Sequence, residues 1–264
     1  MQYAVIGGTG VYDPGFLSSV QEIEVQTPYG KTELIAGMYK QLEIAFVSRH
    51  GKSHSVPPHR VNYRALMWAL KYLGVQYVVA TNAVGTCNPN LQVGDYVLVD
   101  QFIDLTKSRT LTFFDGDQGP VVHVDVTYPY CPTLREALLL LGRQMGVAIH
   151  GQGCYACFEG PRYETAAEVR MAAMLGGDVL GMTGVPEVVL AREAGICYAS
   201  ICIVTNMGAG LAGNTLSHIE VSKVVNERMN SVRRLAVDSL VLASEKASCR
   251  CSESGVSLPG LQEI

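Results

Sequence analysis

The sequence predicts an α/β fold: a single domain with a mixed, mostly parallel central sheet flanked by helices. Short apolar runs of strand length alternate with amphipathic runs of helical length, and the strand-like runs end in Gly-rich or polar turns. Of the 264 residues, 48% are hydrophobic and 17% charged, which is enough for a substantial buried core.

Residues 2–6 read as a short buried strand running into Gly7-Gly8-Thr9-Gly10-Val11. A Gly-rich turn after a strand presents backbone N–H groups to an anion, and the Thr9 hydroxyl can add a bond to phosphate. The turn is neither a Walker A loop nor a full dinucleotide fingerprint. Strands follow over 20–25 and 41–48, with Pro28-Tyr29-Gly30-Lys31 as the turn between them. The second delivers Ser48-Arg49-His50-Gly51, followed by His54, Pro57-Pro58, His59 and Arg60. A forked guanidinium beside an imidazole is a candidate oxyanion clamp; a basic surface loop is the alternative. Residues 61–72 form an amphipathic helix with Leu66 and Trp68 inward, and 75–80 form a strand running into Thr81-Asn82-Ala83-Val84-Gly85.

A strand over 96–103 precedes an aperiodic stretch, 109–132, whose length suits a functional or interface loop. A Leu-rich helix over 134–145 and a strand over 147–157 follow. Within that strand the side chains of Cys154-x-x-Cys157 would face opposite sides. The chain then breaks at Gly160-Pro161 and restarts as a helix capped by Thr165. Tyr163 and Glu164 in this break can stack on a flat ring and bond its edge. Alone, they read more simply as a helix start with Glu164 against the dipole. A strand end at 179–183, a helix over 186–194 and a strand over 198–205 lead into Asn206-Met207-Gly208-Ala209-Gly210. One long helix, 217–244, closes the pattern, with Ser217 as cap and Glu220 completing a capping box. The domain is expected over 1–246, with 247–264 a polar, frayed tail.

Several classes are excluded on this pattern. The net charge of −4 offers no basic footprint for nucleic acid or an anionic membrane. No apolar run has membrane-spanning length and no signal peptide is evident, so a cytoplasmic location is expected. The eight cysteines and six histidines show no paired zinc spacing, so no metal is expected. Most of the cysteines read as small core residues, and Cys249-Arg250-Cys251 reads as a solvated, inert pair, with a strained local disulfide as the alternative.

In such a sheet the polar strand ends gather in one crevice. Thr9, Arg49, His50, Asn82, Ala83 and Thr183 supply donors for a tetrahedral oxyanion, whereas Tyr163, Glu164 and Asn206 suit a flat heterocycle.

With these residues assembled, the chain resembles the purine nucleoside phosphorylase and methylthioadenosine phosphorylase family. The matching motifs are Gly7-Gly8-Thr9-Gly10, Ser48-Arg49-His50-Gly51, Pro57-Pro58-His59-x-Val61-Asn62-Tyr63-Arg64, Glu159-Gly160-Pro161-Arg162-Tyr163-Glu164-Thr165 and Met182-Thr183-Gly184-Val185-Pro186-Glu187. They run in family order through Asn206, and their wording is closer to the methylthioadenosine branch. The resemblance implies attack of phosphate on C1′ of a purine nucleoside, with inorganic phosphate as co-substrate and no cofactor. It also implies Thr9, Arg49, His50, Asn82, Ala83 and Thr183 around phosphate, with Asn82 standing where the family often has threonine. It sets Met182 under the ribose and Tyr163 facing the base, with Met207 and Gly208 beside the substrate. His50, Glu164 and Asn206 are the catalytic candidates. The adenine-using branch is expected to carry serine at position 164 and aspartate at position 206. Glu164 and Asn206 instead match the 6-oxopurine enzymes, because a carboxylate accepts from the N1–H of hypoxanthine or guanine. The expected activity is therefore cleavage of inosine and guanosine. The alternatives are a 5′-methylthioinosine or 5′-methylthioadenosine phosphorylase, or a nucleoside-binding module without turnover. His218, early in the last helix, is the candidate partner of a 5′-hydroxyl. The resemblance further implies a homotrimer or homohexamer, and the segment around Phe113, Phe114 and His123 is the candidate for reaching a neighbouring subunit's site.

Overall fold

The computed structural model describes residues 1–8, 16–51, 55–116, 120–213, 217–245 and 249–261. Their strands are β1 (Tyr3–Gly7), β2 (Ser18–Thr27), β3 (Gly30–Tyr39), β4 (Leu42–Ser48), β5 (Tyr77–Thr86), β6 (Tyr96–Leu98), β7 (Gln101–Leu105), β8 (Ile149–His150), β9 (Cys154–Phe158), β10 (Val179–Gly181) and β11 (Cys197–Met207). Their helices are α1 (Tyr63–Tyr72), α2 (Pro132–Gln144), α3 (Ala166–Met174), α4 (Gly184–Glu193) and α5 (His218–Ser244). The strands form one mixed sheet in the order β2-β3-β4-β1-β5-β10-β9-β7, with β11, β6 and β8 branching from β5.

Strand periodicity divides the core between two faces. Ala4 and Ile6 of β1 join Val78 and Ala80 of β5 on one face, under Leu66 and Trp68 of α1 and Val188 and Ala191 of α4. Tyr3 and Val5 join Val79 on the other, under Leu134 and Leu138 of α2 and Val232, Leu235 and Leu240 of α5. Both faces of β1 and β5 are therefore covered, which is why their sequences read as continuous apolar runs. Helix starts follow local chemistry. Asn62 caps α1 by accepting from the Ala65 amide at 3.1 Å. Thr165 and Glu168 form a reciprocal capping box on α3, with bonds of 3.1 and 2.8 Å. On α5 the Ser217 hydroxyl accepts from the Ile219 amide at 3.3 Å, a tighter local cap than the box expected with Glu220.

Five expectations are corrected. A third strand, β3, begins within the turn expected at residues 28–31; its run Leu34-Ile35-Ala36 is buried against β4, and its small residues and glycines hid the pattern. The strand expected over 96–103 is split into β6 and β7, and the one over 147–157 into β8 and β9 at Gly151-Gln152-Gly153. β5 does not end before Thr81 but continues to Thr86, carried by its pairing with β11. The segment after α5 is not frayed where it is described. Cys251 and Leu258 are 6% and 2% exposed. The Val256 amide donates to the Glu193 carbonyl at 2.8 Å, and Trp68 Nε1 donates to the Pro259 carbonyl at 2.9 Å. Among the described residues no helix is long and apolar enough to cross a membrane.

The C-terminal return predicts a measurable cost. Leu258→Ala should lower the urea-derived unfolding free energy by about 2–4 kcal/mol, as for a core leucine, whereas a frayed position would lose under about 0.5 kcal/mol.

Candidate active site

A gap in the sheet makes the site. On one edge β5 pairs with β1 from Tyr77 to Ala80 and with β10 at Gly85 and Thr86. Between these stretches residues 81–84 lack a strand neighbour on that edge among the described residues, and a cavity of about 950 Å3 opens there. It is lined by strand ends, as expected: Gly8, Arg49, His50, Asn82, Ala83, Met182, Thr183 and Asn206 all border it, with Tyr163 and Glu164 closing the far end. Thr81 turns its carbonyl into the gap to accept from Arg49 at 3.2 Å. Successive residues of a strand alternate edges, so Ala83 directs its N–H the same way.

Arg49 is held by a residue that sequence reading did not single out. Its Nε and one terminal nitrogen donate to the two oxygens of Glu187, both at 2.8 Å, and the pair is 2% and 1% exposed at the side chains. The Tyr198 hydroxyl donates to the same carboxylate at 2.7 Å. Such a bidentate pair offsets the desolvation of both charges and orients the remaining guanidinium N–H groups. Glu187 was legible as part of Val185-Pro186-Glu187 at a helix start, but its partner, far away in sequence, was not.

Asn82 and Thr183 act on each other. The Thr183 hydroxyl donates to Asn82 Oδ1 at 2.7 Å, and Asn82 Nδ2 donates to the Ser200 hydroxyl at 2.7 Å. The Asn82 side chain is thus turned to its neighbours and sets the rotamer of Thr183. The His50 Nδ1 lies 2.8 Å from the Val56 carbonyl. A carbonyl only accepts, so Nδ1 carries a proton and Nε2 is the nitrogen whose protonation decides how the ring meets an anion.

At the other end Glu164 is 8% exposed, and its Oε1 is buried with no hydrogen-bond partner among the described residues. Burial pushes its carboxyl above the usual carboxylate range. Asn206 lines the same cavity with one bond at each end of its amide. Nδ2 donates to the Met207 carbonyl at 2.9 Å, which fixes the amide's orientation, and Oδ1 lies 3.0 Å from the Thr205 hydroxyl. One N–H and one lone pair are left over. The loop bearing Tyr163 and Glu164 is anchored by Arg109, whose terminal nitrogens donate to the carbonyls of Val185 at 2.6 Å, Phe158 at 3.2 Å and Glu159 at 2.7 Å. Gly160 has φ +67°, and a Cβ there would lie 2.7 Å from the Met182 sulfur, so the loop can press onto Met182 only with glycine at this point.

Not every candidate meets the cavity. Thr9 lies outside the described residues, as does the side chain of His218. From α5, Val221, Ser222, Val225, Asn226 and Met229 line the wall instead. Met207 and Gly208 lie beyond the lining; the Gly208 amide donates to the Thr86 carbonyl at 2.8 Å. His123 is exposed and away from the cavity. Phe113, expected to reach a neighbour, is 2% exposed in the chain's own core, where its amide donates to Glu193 at 2.8 Å.

Comparison with known proteins agrees with this fold. The chain is 51% identical to a probable 6-oxopurine nucleoside phosphorylase of Moorella thermoacetica, over 96% of this chain and 97% of that one. It is 46% identical to the 6-oxopurine nucleoside phosphorylase of Pyrococcus furiosus, over 95% and 96%. Its fold superposes on a methylthioadenosine phosphorylase from Schistosoma mansoni in complex with adenine with a TM-score of 0.91 at 32% identity, covering 96% of each chain. Residues 2–241 match the family model of the phosphorylase superfamily, and the chain belongs to that family.

Proposed function

We propose that the chain is a 6-oxopurine nucleoside phosphorylase, cleaving inosine and guanosine with inorganic phosphate to the free base and ribose 1-phosphate. The observation that carries this reading is the buried, unpartnered Oε1 of Glu164 in the cavity that also holds Asn206 and Arg49. A 6-oxopurine offers N1–H to that oxygen. The spare amide N–H of Asn206 donates to O6, and its Oδ1 accepts from N7–H as the base departs. Tyr163 covers the ring and Met182 lies under the ribose. Phosphate sits at the gap in the sheet, bonded by the remaining N–H groups of Arg49, by the Ala83 amide and by His50, with the Thr183 hydroxyl turning from Asn82 to donate to it. Thr9, which lies outside the described residues, is the remaining candidate for that shell, whereas the Asn82 backbone points to β11. The cleavage needs a positioned nucleophile and stabilisation of the charge gathering on the purine, and these groups supply both without a cofactor.

A second reading follows from α5. Val221 and Val225 give the wall an apolar stretch that suits a 5′-methylthio group, whereas His218 would donate to a 5′-hydroxyl. Exposed Val121 and Tyr128, at 75% and 76%, suit contact with a second copy of the chain in a trimer or hexamer. We assign the protein to the cytoplasm, where nucleosides and phosphate meet.

Incubation with inosine should release hypoxanthine only when phosphate is present. Equal release without phosphate would indicate a hydrolase, and binding without release a nucleoside-binding module. In the same assay kcat/KM for inosine should exceed that for 5′-methylthioinosine; the reverse order selects the second reading.

Base choice rests on two side chains. Glu164→Ser combined with Asn206→Asp should shift the adenosine-to-inosine ratio of kcat/KM by about a hundredfold or more toward adenosine, since a buried polar group facing the wrong edge costs a few kcal/mol.

The pH dependence of stability has a definite sign. Burial raises the Glu164 pKa in the folded chain, so the folded state keeps this proton where the unfolded chain has released it. Its favourable contribution is complete below the unfolded pKa and is lost as pH rises through the folded pKa. Glu164→Gln should therefore raise Tm at neutral pH, by a margin that shrinks on acidification, while inosine kcat/KM falls about tenfold for loss of a charged hydrogen bond. Thermal scans across pH alongside initial rates check both halves.

A further inference from the structure

Four cysteines that lie far apart in the sequence meet at the opposite end of the sheet from the cavity. Cys131 stands just before α2, Cys197 opens β11, and Cys249 and Cys251 belong to the segment after α5. Their sulfurs all lie within 4.8 Å of one another. Cys131, Cys197 and Cys251 are 1%, 6% and 6% exposed, and Cys249 is half-buried. This corrects the expectation of an inert, solvated Cys249–Cys251 pair and of no metal-ligand grouping: the pairing is spatial, so no sequence spacing announced it. β11 runs from Cys197 to Met207, which separates the cluster from Asn206 by roughly 30 Å of strand.

We propose that these four thiolates form a structural zinc site that fastens the C-terminal segment to the domain. Zn–S bonds of about 2.3 Å in a tetrahedron set the sulfurs about 3.8 Å apart. Here Cys249 Sγ lies 3.0 Å from Cys197 Sγ and 3.5 Å from Cys131 Sγ, so one sulfur has two near neighbours instead of a single partner. Four mutually close sulfurs match a coordination shell, whereas disulfides would resolve them into pairs. The backbone already holds two of the ligands in place, because the Cys131 amide donates to the Tyr198 carbonyl at 2.7 Å. Cys131 also occupies the N-cap of α2, where the positive end of the helix favours a thiolate. Binding exchanges the four thiol protons for Zn2+ and releases them to solvent, with no change of oxidation state. Two disulfides would instead require an external oxidant to take up four electrons.

The test is metal content. Untagged protein purified with zinc in the medium and dialysed against EDTA should retain about one zinc per chain by plasma mass spectrometry, and an organomercurial should release it. Cys249→Ser with Cys251→Ser should abolish retention while leaving inosine turnover at room temperature intact and lowering Tm. Should that variant fail to fold, cobalt loaded into wild-type protein stripped of zinc provides the second measurement: a tetrahedral tetrathiolate gives intense visible ligand-field and sulfur-to-metal bands. A metal-free wild type overturns the proposal, whether its intact mass is about 4 Da low, marking two disulfides, or all of its thiols titrate. Zinc that persists in the double variant, or cobalt without those bands, overturns it equally.

Discussion

The buried pair of Arg49 and Glu187 is the constraint on which the site depends. Each is almost wholly removed from water, and neither charge is tolerable there alone. Their union joins the end of β4 to the first turn of α4. The Thr81 carbonyl on β5 and the Tyr198 hydroxyl on β11 are drawn into the same knot. The strands and the helix that border the gap in the sheet are thereby fixed relative to one another. The arginine is presented to the cavity with part of its fork already spent and its orientation settled.

The two ends of the cavity treat charge in opposite ways. At the oxyanion end the cation has its partner within the protein, so the chain carries little uncompensated charge there. At the other end Glu164 Oε1 is buried with no hydrogen-bond partner among the described residues, which under the proposed function leaves it to accept from the ligand. Selectivity is thus purchased with folding free energy, a trade common where activity requires a strained or unpaired group. The Asn206 amide is intermediate: tethered at both ends, it has little rotational entropy left to lose when a base arrives.

What the sequence revealed was local or periodic. The α1 and α3 caps, the two covered faces of the sheet and the strand-end residues around the cavity follow from turn chemistry and apolar spacing. What it hid depends on contacts between distant residues. β5 looked finished at Ala80 because Thr81 and Asn82 are polar, yet β11 carries it on to Thr86. Glu187 looked like an ordinary acid at a helix start until Arg49, 138 positions away, was seen to meet it. Phe113 looked like an interface aromatic, although its place is in the chain's own core beside Tyr29. Residues 249–261 looked like a tail by composition, because a few apolar contacts spaced along a polar stretch leave no period to read.

The capping box at the start of α3 bears on how this family can diversify. Thr165 and Glu168 secure the helix between themselves, and Glu164, immediately before them, takes no part in that bond pair. Asn206, its proposed partner in base recognition, lies on a different element and is likewise absent from the Arg49–Glu187 knot. Glu164 and Asn206, the side chains proposed to read the base, are therefore insulated from those that keep the chain folded. A lineage can exchange one purine edge for another through a couple of replacements while its architecture stays under unchanged selection. Close relatives with different nucleoside preferences are the natural product of that insulation.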